Sequence, residues 1–124
     1  MSKAIGMTEY QTVSTGIQAA DLMIKTAEVD VVEAQTVCPG KYMIIVTGEL
    51  SAVRASVDAA KTQFGEKLID SFVLGNPDES IFPAMYGVNE VEDKKALGIL
   101  ETFSVAAMIV AADNAAKTAE VQLI

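Results

Sequence analysis

"KAIGMTEYQTVSTGIQAADLMIKTAEVDVV", residues 3–32, decides the fold, because the chain writes it twice. "KALGILETFSVAAMIVAADNAAKTAEVQLI", residues 95–124, repeats the Lys, Ala, Gly, Glu and Val, the triplet AAD and the run KTAEV in register, 92 positions later. Ungapped self-similarity at a fixed offset is the mark of a duplicated structural unit. The first copy runs on into "EAQTVCPGK", where the second reaches Ile124. Two complete copies at that period need roughly 180 residues. The expected organisation is one whole domain over residues 1–90 and the start of a second, truncated one over 91–124.

Inside the unit the pattern alternates strand and helix signals. Ala4 to Tyr10 reads as a short apolar strand, and Thr12 stands where a hydroxyl can cap a first helical turn. Val13, Ile17, Ala20 and Ile24 then fall at helical spacing and predict a buried stripe. Val29 to Val37 and Lys41 to Thr47 are β-branched strands flanking a turn. Ser51 is placed to cap a second helix, whose stripe is Val53, Val57, Ala60 and Phe64, and Gly65 ends it. Leu68 to Leu74 is a fourth strand, "SIFPAMYG" a short helical turn and "VNEVEDKK" a charged linker. The order βαββαβ is the ferredoxin-like split βαβ plan of an α+β fold. That plan hosts many functions.

Composition excludes several of them. Net charge is −8, with 9 basic against 17 acidic residues. That argues against a nucleic-acid binder, which carries a basic stripe, and against binding to an anionic membrane surface. The longest apolar run, Val105 to Ala112, is far short of the about 20 residues of a membrane span. Hydrophobic residues make up 51% of the chain and mean hydropathy is +0.33, so surface buried against other subunits is expected. Histidine is absent, which removes Ser-His-Asp and Cys-His nucleophile systems and the commonest general base. No paired-carboxylate motif, Walker sequence or phosphate-cradling glycine loop stands in for it. A non-enzymatic, cytoplasmic protein is the expectation.

The one cysteine sits in "TVCPGKY", residues 36–42. Pro39 followed by Gly40 is the signature of a type II turn, which fixes the thiol's position. Such a tip is expected to project beyond the ladder, and Lys41 beside it would favour the thiolate. A lone intracellular cysteine is more often an inert buried residue, so the turn alone leaves its role open.

The stretches AIGMTE, AADLMIKTAEV and GELSAV, with a short turn before an apolar strand, together resemble the bacterial microcompartment shell-protein (BMC) domain. The resemblance covers residue 3 to about residue 87 and resumes at Lys95. With two copies in one chain it is similar to the tandem-domain, trimer-forming class, the iron–sulfur shell proteins of propanediol-utilisation compartments among them. That resemblance implies cyclic pseudo-hexameric tiles in a microcompartment shell, built with other shell proteins and serving encapsulated redox enzymes. It implies that Val37, Cys38, Pro39, Gly40 and Lys41 line a pore on the symmetry axis, and that Lys25 and Lys117 make tile-edge contacts. The arginine such proteins often carry after the last strand is missing from "GNPDES". It further implies that Cys38 from three chains holds a [4Fe–4S] cluster for electron transfer across the shell. Three convergent thiolates could instead hold Zn²⁺. A plain metabolite pore without a cluster, and a ferredoxin-like regulatory module that binds a small molecule, stay open beside it.

Overall fold

The computed structural model describes residues 3–92 and 95–124. A four-stranded antiparallel sheet organises it: β1 (Ala4–Tyr10), β2 (Asp30–Val37), β3 (Lys41–Gly48) and β4 (Leu68–Leu74), in the order β2-β3-β1-β4. Helices α1 (Val13–Thr26) and α2 (Leu50–Gln63) make the two crossovers, and a 3-10 turn, Gly65–Lys67, leads into β4. The short α3 (Ile81–Met85) and then α4 (Val105–Thr118) follow. The expected βαββαβ order is the observed one. The expected linker over residues 88–95 lies partly outside the described residues; residues 88–92 form no regular element.

β1 is central and buried at every position. Alternation along a strand sends successive side chains to opposite faces, and here both faces are covered. Ala4 and Tyr10 join Ile44 and Val46 of β3 under α1 and α2, with Ala19, Met23, Val53, Val57 and Ala60. Ile5 and Met7 join Met43 and Ile45 on the opposite face, beneath Ile81, Ala106 and Ile109. Burying each such aliphatic side chain stabilises the fold by about 1.5–3 kcal/mol. The chain thus has two apolar layers separated by one sheet, and Met7, Met23 and Met43 fill gaps in them.

The α2 stripe is as expected, with Val53, Val57 and Ala60 buried and Phe64 packed at its end. Its start is not: Glu49, rather than Ser51, is the N-cap. The α1 stripe also differs. Gly16, Ala19 and Met23 face the core, while Ile17 and Ile24 are 53% and 48% exposed. The reason is close approach. A Cβ on Gly16 would lie 2.5 Å from Cβ of Tyr42, so α1 meets the sheet along its smallest residues, and a count of apolar bulk points to the wrong face. Thr12 is the N-cap but leaves the helix N–H groups alone; its hydroxyl donates to Thr15 Oγ1 at 2.8 Å.

The second copy is reproduced in its helix. α4 spans the α1 limits displaced by the repeat offset, with Ser104 and Ala119 as caps where α1 has Thr12 and Ala27. The β1 counterpart is not reproduced: residues 96–102 form no strand, and Leu97, Ile99 and Leu100 are exposed. β1 pairs with β3 and β4, and residues 95–124 contain no counterpart of either.

Gly6 lies beneath α2, where a Cβ would come within 2.6 Å of Val53 Cγ1 and 2.7 Å of Val57 Cγ2. Gly6→Ala is therefore expected to destabilise the chain by about 1–3 kcal/mol through overpacking, read as a lower urea midpoint with unchanged slope.

Candidate functional site

Two features converge at one end of the sheet: the hairpin that carries Cys38 and the point where α4 lands. β2 and β3 stay paired up to Val37↔Lys41, so the ladder runs to the base of the turn and only three residues form the tip. Those three, Cys38, Pro39 and Gly40, are exposed, while Val37 and Lys41 are partly buried at the hairpin base. The turn departs from the expected type II form, since the Cys38–Pro39 peptide is cis; Gly40 does take the positive φ, 72°. Cys38 is a free, exposed thiol. Among the described residues no group of three or more His, Cys, Asp or Glu could hold a metal ion within one chain.

Lys41 does not serve the thiol. Its Nζ lies 2.9 Å from Glu9 Oε2. Glu9 is 0% exposed, and its other oxygen accepts the backbone N–H groups of Val105 at 2.9 Å and Ala106 at 3.2 Å. These are first-turn donors of α4, which have no partner inside the helix. Asp70 stands directly opposite Glu9 across β1–β4, hence on the same sheet face, and accepts the Ser104 hydroxyl. Ser104 Oγ in turn accepts the Ala107 N–H at 3.0 Å. Two carboxylates therefore meet the positive end of one helix, an arrangement the helix dipole favours.

The far end of α4 is held as well. Asp113, 2% exposed, accepts the Asp78 N–H at 2.7 Å, and Lys117 Nζ reaches Asp113 at 2.8 Å and the Asn76 carbonyl at 2.6 Å. Lys25, its counterpart in α1, pairs with Asp21 at 2.8 Å, both exposed. Of the residues singled out in the sequence, Val37 to Lys41 are thus gathered on one hairpin, while Lys25 and Lys117 lie on two separate helices. Glu9, Asp70, Asp78 and Asp113 were not singled out as a constellation; the signal available was the recurrence of Glu9 as Glu101 and of the AAD triplet. Among the described residues the buried Tyr10 hydroxyl has no hydrogen-bond partner, and burial raises its pKa.

The comparisons with known proteins agree with this architecture. The BMC domain family matches residues 4–77 and 96–124, and the chain belongs to that family. It is a bacterial microcompartment shell protein by class. Across its whole length it is 41% identical to the bacterial microcompartment shell protein PduT of Citrobacter freundii, 67% of which it covers. It is 35% identical over 81 residues to the shell protein EutK of Salmonella typhimurium, covering 64% of this chain and 49% of that one. A crystal structure of a microcompartment protein from Desulfitobacterium hafniense superposes with a TM-score of 0.81 and 44% identity, over 98% of this chain and 68% of that one. The chain therefore spans from about half to two thirds of these relatives' lengths. No helix among the described residues is long and apolar enough to cross a membrane.

Removing Glu9 strands Lys41 and leaves the Val105 and Ala106 N–H groups without their side-chain acceptor. Glu9→Ala is expected to cost about 3–5 kcal/mol, the scale for breaking a buried ion pair; chemical denaturation measures it, and amide exchange at Val105 and Ala106 should accelerate most. A second expectation concerns pH. Hydrogen bonds from the Ser80 hydroxyl and N–H hold the Asp78 carboxyl below its usual range. A carboxyl depressed in the folded state adds stability above its unfolded pKa, and that stability is lost as pH falls through the folded value. Melting temperature should therefore fall less steeply below about pH 4 in Asp78→Ala than in the wild type.

Proposed function

We propose that this shell protein assembles as a cyclic ring in which two BMC units per chain make a trimer with pseudo-six-fold form. The units are residues 1–90 and a second beginning at 91. In the ring the hairpin tips, Val37 to Lys41, surround the axis, and Cys38 from three chains converges there. Three thiolates are the protein ligands of a [4Fe–4S] cluster whose fourth iron takes an exogenous ligand or water. When bound, the cluster supplies one-electron transfer across the shell. What this chain contributes is placement: one free thiol on a three-residue tip at the end of a paired ladder, where the described residues of a single chain offer no companion ligands. Cyclic symmetry turns one side chain per chain into a ring of ligands.

That exposed, unpartnered Cys38 is the observation that carries the reading. The role is structural and conductive rather than catalytic. Its partners are further copies of itself, other shell proteins and encapsulated redox enzymes, within a shell in the cytoplasm. Lys25 and Lys117 are the proposed contacts at tile edges.

Anaerobic purification followed by iron and sulfide analysis, visible absorbance and EPR tests it. The wild type should carry about four irons per three chains, and Cys38→Ser should lose them with its native mass unchanged. Zinc without iron would assign the three-thiolate site to Zn²⁺. Neither metal in the wild type, with the ring intact, would overturn the cluster and leave a plain metabolite pore.

A further inference from the structure

Position 9 lies in an apolar layer. Its side chain shares a sheet face with Ile5 and Met7 and stands opposite Met43, yet it is a carboxylate with no exposure. An apolar side chain there would fill the layer without the cost of burying a charge. The start of α4 accounts for only part of the carboxylate. Ser104 already caps that helix by accepting the Ala107 N–H, and the Val105 and Ala106 N–H groups take one Glu9 oxygen, Oε1. The second oxygen is turned to the hairpin and accepts Lys41.

Lys41 is the nearest charged residue to Cys38 along the chain; Gln35 to Gly40 carry no charge. Its ammonium sits on a flexible four-carbon stem, three residues from a thiol on an exposed tip. A free ammonium in such a place draws a thiol toward the thiolate and attracts anions. Instead the side chain is folded back: it is 17% exposed, with Nζ 2.9 Å from Glu9 Oε2. The register explains the reach. Glu9 opposes Met43, so Lys41, two residues before Met43 on β3, is its diagonal neighbour, a separation that long side chains span.

We infer that Glu9 is a positioning residue for the Cys38 site: it cancels the Lys41 charge and holds it on the sheet face, so the hairpin tip presents its thiol without a cation beside it. For a free thiol, the consequence is that anionic reagents gain no advantage over neutral ones. For three thiolates around an iron–sulfur cluster, the potential follows the net charge near the sulfurs, and withholding three ammonium groups keeps it low. The second consequence rests on the proposed cluster; the first needs only the exposed thiol.

Alkylation of Cys38 by iodoacetate, an anion, and by iodoacetamide, which is neutral, separates local charge from accessibility. The full chain, freed of metal by a chelator, is used at low ionic strength. In Glu9→Gln the Lys41 charge is no longer cancelled, and the iodoacetate-to-iodoacetamide rate ratio should rise about twofold, the scale of one unit charge within roughly 8 Å in water. That rise should vanish near 1 M salt. Glu9→Gln with Lys41→Gln strands neither charge and should return the ratio to the wild-type value. The double variant carries the test even where Glu9→Gln melts too low to assay. A wild-type ratio about twofold above the double variant's means that Lys41 is not withheld, and overturns the inference. So does a folded Glu9→Gln chain with the wild-type ratio, because loss of a merely structural contact leaves the ratio unmoved. In chains purified anaerobically, EPR-monitored titration should give Glu9→Gln a more positive reduction potential than the wild type or the double variant; an unshifted potential overturns the role toward the cluster. A wild type that holds no cluster but shows the expected ratios removes the cluster reading and sustains the role of Glu9.

Discussion

The buried carboxylate of Glu9 is the contact on which the second half of the molecule depends. A charge with no exposure is costly to desolvate, and its attraction to a partner repays that cost only when its remaining hydrogen-bonding capacity is also met. Here it is: one oxygen faces Lys41, the other the two N–H groups that open α4. These groups come from β1, β3 and a helix almost a hundred residues away in sequence. The apolar layer of Ile5, Met7, Met43, Ile45 and Ile109 supplies most of the energy but little direction, since the hydrophobic effect is non-directional. Glu9, Asp70 and Asp113 supply direction by fixing where along the sheet the helix begins and ends.

The same contact reaches the cysteine. Lys41 is the first residue of β3 and the last one paired before the turn. Its ammonium is held on the sheet face that α4 covers, so the base of the hairpin is pinned from the α4 side. Among the described residues no strand lies on the outer edge of β2, which is largely exposed, while β3 beside it is buried over Met43 to Val46. The hairpin tip thus takes its position from β3, and β3 at that end takes its anchor from Glu9. One carboxylate, Glu9, thus touches both the start of α4 and the base of the hairpin that carries Cys38.

Strand limits were legible because β-branched runs and turn residues mark them directly; β4 coincides with Leu68–Leu74 as read. Which face of α1 is buried was not legible. Ile17 and Ile24 outweigh Gly16 and Ala19 on any hydropathy scale, yet helix–sheet contact at Tyr42 requires the missing side chain. The sheet's polar junction was hidden for another reason. Glu9 and Val105 become neighbours only through the tertiary fold, and a lone acidic residue within an apolar strand looks like a departure from pattern. The repeat did carry the information: Glu9 recurs as Glu101, and Asp21 as Asp113. Recurrence marked them without stating what they bind. The Cys38 turn was read correctly as a tight, glycine-assisted tip, but the sequence could not distinguish the cis form of its proline bond.

The duplicated helix repeats Ile17, Asp21 and Lys25 as Ile109, Asp113 and Lys117, while Gly16 and Met23 of its inward side become Met108 and Ala115. Inward, the requirement is volume: Gly16 fits Tyr42, and the corresponding Met108 stands in another setting. Volume can be met by several combinations of small and flexible side chains. Outward, the requirement in α4 is a set of directed contacts, with a carboxylate on an N–H, an ammonium on a carbonyl and an isoleucine between them. Directed contacts tolerate little substitution, because a misplaced partner leaves a buried polar group unpaired. The three positions that make directed contacts in α4 all recur in α1, whereas Ser14, Gln18 and Ile24 on its exposed side do not.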